Sequence, residues 1–210
     1  MCSNYRPASP DALRLLRPDL AMPVGEYAAE CYPGRTAPVL LNTREPQWTL
    51  ATFGMVPHWG DAKLARSTYN ARSETIAAKP SFRHAWKERQ LCVVPLEGFY
   101  EPCYESGKPV RWRIARTDGA PFGVAGIWET RPFDDGPLRW SFSMVTTNAD
   151  GHPLMQRFHK PGDEKRSIVV LEQGRWDLWL QAAGEPEARE LLRSFDAKLA
   201  TAVPAPRGGS

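Results

Sequence analysis

Cys2 stands directly behind the initiator methionine, so loss of Met1 would make it the first residue and place an α-amine and a thiol on one residue. The amine has an unperturbed pKa of about 7.7–8.0 and the thiol of about 8.5, so each has a minor reactive fraction near neutrality. An amine can condense with an aldehyde to a Schiff base. The neighbouring sulfur can then add to the same carbon and close a five-membered thiazolidine. A chain end is more often frayed than functional. The chemistry therefore needs partners elsewhere in the sequence.

Four further stretches supply candidates. The run Asn70-Ala71-Arg72-Ser73-Glu74-Thr75 sets an amide and a guanidinium two residues apart ahead of a short helical run, and Gly54 to Trp59 reads as a loop carrying an accessible tryptophan. Trp59 could equally pack in the core, and Asn70 and Arg72 could be a cap and a solvated charge. Glu101 follows Phe99 and Tyr100, whose rings could desolvate its carboxylate and fit it for proton transfer; a surface salt bridge is the commoner fate of such a residue. His152 and His159 lie in the loop Asn148 to Gly162 before a strand, and an imidazole with a pKa near 6.5 can donate or accept at neutral pH.

These side chains must be positioned by a β-rich body. Ser9-Pro10-Asp11 starts a helix with Leu13, Leu15 and Leu16 on its buried side. Val39 to Leu41 and Trp48 to Phe53 read as paired strands. Leu91 to Leu96, Val110 to Ile114, Phe122 to Trp128 and Arg139 to Thr147 continue an antiparallel meander, with turns at Asp118-Gly119 and Asp134-Asp135-Gly136. A strand at Ser167 to Leu171 and two amphipathic helices, Trp176 to Gln181 and Pro186 to Phe195, close the fold. Twenty prolines and sixteen glycines in 210 residues fit many turns and few long helices. The expected class is α+β, with a mostly antiparallel, barrel-like β core flanked by short helices, one domain over residues 1–200 and a disordered tail over 201–210.

The net charge of +3 confines any nucleic-acid contact to a local patch. Cys2, Cys31, Cys92 and Cys103 show no C-x-x-C spacing, and no cysteine or histidine pair falls at zinc-ligand intervals, so no metal is expected. No glycine-rich phosphate loop is present and no cofactor is expected. With neither a signal-peptide pattern nor an apolar run long enough to span a bilayer, a cytoplasmic protein with reduced thiols and no membrane contact is expected.

The order Met1-Cys2, Asn70-Ala71-Arg72-Ser73-Glu74-Thr75, Gly98-Phe99-Tyr100-Glu101 and His159 before a strand resembles the SOS response-associated peptidase (SRAP) family over most of residues 1–175. The resemblance implies covalent protection of abasic sites in single-stranded DNA through the mature N-terminal cysteine, and removal of the chain's own leading residue. It implies Cys2 as nucleophile and Asn70 as the group orienting the opened deoxyribose. Glu101 would handle protons at the amine and His159 would assist ring opening. Arg72 would contact phosphate and Trp59 would stack on DNA, and the partner would be abasic single-stranded DNA bound by a monomer. Three segments depart from the family pattern: Cys2-Ser3-Asn4 stands for Cys-Gly-Arg, Glu30-Cys31-Tyr32-Pro33 falls where Tyr-Asn-x-Ala-Pro is usual, and Lys160-Pro161-Gly162 replaces Arg-Met-Pro. Two other readings stay open: a cysteine peptidase or amidohydrolase using Cys2 and His159, and a single-stranded DNA-binding module without chemistry.

Overall fold

Leu91-Cys92-Val93-Val94-Pro95-Leu96 is apolar at every position, and a strand of that pattern has to bury both faces. The computed structural model, which describes residues 2–133 and 136–207, shows how it does so. The elements in chain order are β1 (Tyr5–Pro7), α1 (Pro10–Leu16), β2 (Thr36–Leu41), β3 (Trp48–Phe53), β4 (Asn70–Arg72), α2 (Arg83–Lys87), β5 (Leu91–Cys103), β6 (Val110–Arg116) and β7 (Phe122–Phe133). They continue with β8 (Gly136–Asn148), β9 (Arg166–Ile168), β10 (Val170–Leu171), α3 (Trp176–Leu180), α4 (Glu185–Glu190) and β11 (Ala200–Pro204).

Strands β5, β7, β8, β3 and β2 pair in that order, and β2 pairs back onto β5, so five strands close into a barrel. Closure removes the exposed edges that an open sheet would offer. The pairing is antiparallel except where β3 and β4 run parallel to β8. Side chains alternate across β5. Cys92, Val94 and Leu96 join one core with Phe53, Phe99, Phe142 and Phe158, whereas Leu91 and Val93 join a second with Leu13, Trp86, Trp179 and Ala188 from the four helices. One core fills the barrel and the other seals the helices to its outside. At Gly123 the approach is close: a Cβ there would lie 2.2 Å from the Trp176 indole nitrogen, so a side-chain-free residue lets α3 dock on β7.

The α+β barrel matches the expected class. Ser9 caps α1 by accepting the Ala12 N–H, and Leu13 and Leu16 are buried, but Leu15 points to solvent because the 3.6-residue period carries it off that face. The run from Leu91 to Glu101 is one strand, and the strand expected at 167–171 is split between partners β8 and β7. The segment expected as a disordered tail from 201 continues as a strand to Pro204, because β11 pairs with β6 from Ala200↔Arg116 to Pro204↔Trp112. Asp134 and Asp135 of the expected turn, Met1, and Gly208 to Ser210 lie outside the described residues. Among the described residues, no helix is long and apolar enough to cross a membrane.

Candidate active site

β1 draws the start of the chain into the molecule. Tyr5 pairs with Phe99 and Arg6 with Gly98, and the Tyr100 N–H donates to the Asn4 carbonyl at 3.0 Å. Cys2, three residues ahead of β1, is consequently packed at 1% exposure in the barrel core, with its sulfur 3.7 Å from the Asn4 carbonyl oxygen. Asn70 lies opposite Met144 where β4 runs along β8, and its amide Nδ2 donates to the Cys2 carbonyl at 2.9 Å. The Asn70 Oδ1 is buried and has no hydrogen-bond partner among the described residues, leaving an acceptor open beside the cysteine.

Glu101 follows Phe99 by two positions on β5, so strand alternation turns its carboxylate to the same core at 3% exposure. His159 reaches it from across the barrel. A bridge pairs Phe158 with Cys103, and the His159 N–H donates to the Pro102 carbonyl at 3.0 Å. His159 takes φ +66°, the left-handed region that a side chain with a Cβ rarely occupies, and its Nε2 stands 3.3 Å from Glu101 Oε2. With Glu101 at 3% and His159 at 9% exposure, the pair is shielded from bulk water. Burial, and after it the Glu101 carboxylate, push the Cys2 thiol far above its usual range, so the resting sulfur is a neutral thiol. Tyr69 marks the wall of the same pocket: burial first, then Cys2 and Glu101, raise its hydroxyl above the ordinary value. Its place directly before Asn70 is the only sequence signal for it.

The structure thus joins Cys2 with Asn70 and Glu101 with His159, while Arg72 and Trp59 stand out on the surface. Trp59 is 56% exposed on its loop, as its sequence setting suggested, and the core-packing alternative does not hold. Arg72 is engaged: its Nη1 donates to Glu164 Oε2 at 2.8 Å. Glu164 also accepts from the buried Arg166, which reaches Glu74 and the Thr146 carbonyl. An anion reaching Arg72 has to displace a carboxylate. His152 is structural. Its Nδ1 accepts the N–H groups of Leu154 and Met155, which places the ring proton on Nε2, the atom 2.8 Å from the Phe195 carbonyl oxygen.

Two segments that depart from the family pattern meet in space. Asn4 Nδ2 donates to Glu30 Oε2 at 3.3 Å, and Arg111 Nη2 donates both to Asn4 Oδ1 at 2.6 Å and to Glu30 at 2.9 Å. The Arg111 guanidinium lies 3.4 Å from the Tyr100 ring centroid, and the Tyr32 hydroxyl donates to Glu30 at 2.7 Å. The network couples residues far apart in the chain, so spacing alone gave no sign of it.

Residues 7–207 match the family model of the SOS response associated peptidases (SRAP). The chain is 26% identical over 206 residues to the abasic site processing protein YoqW of Bacillus subtilis, which spans 94% of this chain and 88% of that one. It is 29% identical over 149 residues to the abasic site processing protein YoaM of the same organism, which spans 69% of this chain and 62% of that one. A crystal structure of a protein from Bordetella bronchiseptica superposes with a TM-score of 0.88 at 32% identity, over 97% of this chain and 99% of the other. A protein from Bacteroides thetaiotaomicron shares the fold at a TM-score of 0.80 and 23% identity, over 97% of this chain and 91% of the other.

Proposed function

The chain belongs to the SOS response associated peptidase (SRAP) family, and from that membership we propose that it processes abasic sites in DNA, joining Cys2 covalently to the lesion in single-stranded DNA once Met1 is removed. The observation that carries this reading is the burial of Cys2, Asn70, Glu101 and His159 in one region from four separate parts of the chain: Asn70 holds the Cys2 carbonyl, Glu101 lies near enough to act on the Cys2 thiol, and His159 faces Glu101. The mature amine attacks the open aldehyde, and Glu101 takes a proton from it. Loss of water gives the imine. The thiol then adds across the carbon–nitrogen double bond, its proton passes to nitrogen, and the thiazolidine ring closes. His159 donates a proton during sugar-ring opening, and Asn70 orients the opened sugar through its amide. Arg72 binds an adjacent phosphate and Trp59 stacks on a base.

A thiol held neutral by burial supports amine attack before sulfur chemistry. It counts against a peptidase that needs a standing Cys2 thiolate beside His159. Removal of Met1 by the same pocket is part of the proposal, since a retained Met1 would tie up the Cys2 nitrogen in an amide. The test is incubation of mature protein with abasic single-stranded DNA, followed by denaturing electrophoresis and intact mass. The expected product survives denaturation and has the mass of protein plus DNA less one water. Cys2→Ala keeps the amine but lacks sulfur, so its product is expected only when borohydride reduces the imine. Equal amounts of denaturant-stable product from parent and Cys2→Ala would overturn the thiazolidine.

A further inference from the structure

Two histidines and a glutamate that the Cys2 pocket does not use meet on the helix-covered face of the barrel. Glu129 continues the series Ala125, Ile127 along β7, so period two sets it on the outer side of the sheet. α2 packs there and brings His84, and the loop after β3 brings His58. His84 Nδ1 lies 2.9 Å from Glu129 Oε2, the two imidazole centroids are 5.4 Å apart, and the ligating atoms of all three residues lie within 4.8 Å of one another. Glu129 is 4% exposed, and its carboxylate contacts, among the described residues, are His84 and the Thr130 N–H at 3.2 Å. A desolvated carboxylate calls for a cation to face it.

From this juxtaposition we infer that His58, His84 and Glu129 form a site for a single divalent transition-metal ion of the zinc class. Two imidazole nitrogens and one carboxylate oxygen are the donor set such borderline ions take, with the fourth position left to water. Bonds of about 2.0–2.2 Å place tetrahedral ligand atoms about 3.4 Å apart, between the shortest and longest separations found here. His58 and His84 are exposed and free to make the adjustment. The Thr130 N–H fixes the second carboxylate oxygen, as outer hydrogen bonds do at metal centres. A bound ion would fasten the loop that carries Trp59 to α2 and β7.

The test is isothermal titration of zinc chloride into full-length protein carrying Cys2→Ala, which removes the thiol as a competing ligand. One ion per chain is expected. Loss of a ligand through His58→Ala or His84→Ala is expected to weaken zinc binding at least about tenfold, with the circular dichroism spectrum unchanged because both residues are exposed. Glu129→Gln, which keeps the side chain's shape, is expected to weaken it likewise. Magnesium, which prefers an all-oxygen shell, is expected to give no heat. Absence of zinc binding, binding undiminished in both histidine variants, or equal binding of magnesium would each overturn the inference.

Discussion

Burial and the Glu101 carboxylate keep the Cys2 thiol protonated, so under the proposed chemistry the first bond to an aldehyde would fall to the amine, and the proton transfers around it would be the steps to assign. The 3.3 Å separation of Glu101 and His159 lets one site divide that work. General acid–base groups contribute about 10²–10⁴-fold in rate. His159→Ala is expected to slow crosslinking to ring-closed abasic sites by a factor in that range, and to slow reaction with an open aldehyde far less. Glu101→Gln is expected to slow both substrates, since both pass through the amine. Because a group that speeds imine formation also speeds its reversal, Glu101→Gln adducts are expected to persist longer. Single-turnover crosslinking and release assays with the two substrates separate these roles. Equal slowing of both substrates by both variants, with unchanged release, would assign the pair to holding the pocket together.

β4 is three residues long, yet it carries Asn70 into the pocket and Arg72 to the rim. If Arg72 takes phosphate as proposed, the Glu164 carboxylate on it would compete. Glu164→Gln is expected to raise affinity for single-stranded DNA. Arg72→Ala is expected to lower affinity and to make the salt dependence shallower by about 0.7 in log–log slope, the loss of one phosphate contact. Binding titrations across a salt series measure both, and an Arg72→Ala slope equal to the parent's would remove Arg72 from the DNA contacts. The docking of α3 on β7 offers a separate element-scale prediction. In Gly123→Ala the new Cβ would meet the Trp176 ring, with the indole nitrogen 2.2 Å away and two ring carbons within 2.4 Å. Overpacking of this kind costs about 1–3 kcal/mol, expected as a lower urea midpoint with an unchanged slope.

Across the molecule, the buried Arg166 ties β9 to β8 and to Glu74 and Glu164. At Glu164 the Arg166 hydrogen bond holds the carboxyl below its ordinary 4.5, and at Glu74 burial works the other way but is outweighed by the same guanidinium. A carboxyl whose folded-state pKa is depressed contributes stability that is present above the unfolded value and is lost as pH falls through the folded one. The parent is therefore expected to lose stability below about pH 4.5, and Glu74→Gln with Glu164→Gln to lose less over the same interval, as measured by urea midpoints down to about pH 3. The barrel-like α+β class, the strand at Leu91 and the capped helix at Ser9 were legible in the sequence, which also named Cys2, Asn70, Glu101 and His159 as the candidates for a site. Each rests on a local pattern: alternation, a cap, or a motif with its own chemistry. The insertion of Cys2 into the core, the carboxylate on Arg72, the Asn4–Glu30–Arg111 network, the continuation of β11 to Pro204 and the His58–His84–Glu129 cluster were decided by tertiary structure alone. Those contacts join segments far apart in the chain, and no local spacing records which strands close the barrel and bring them together.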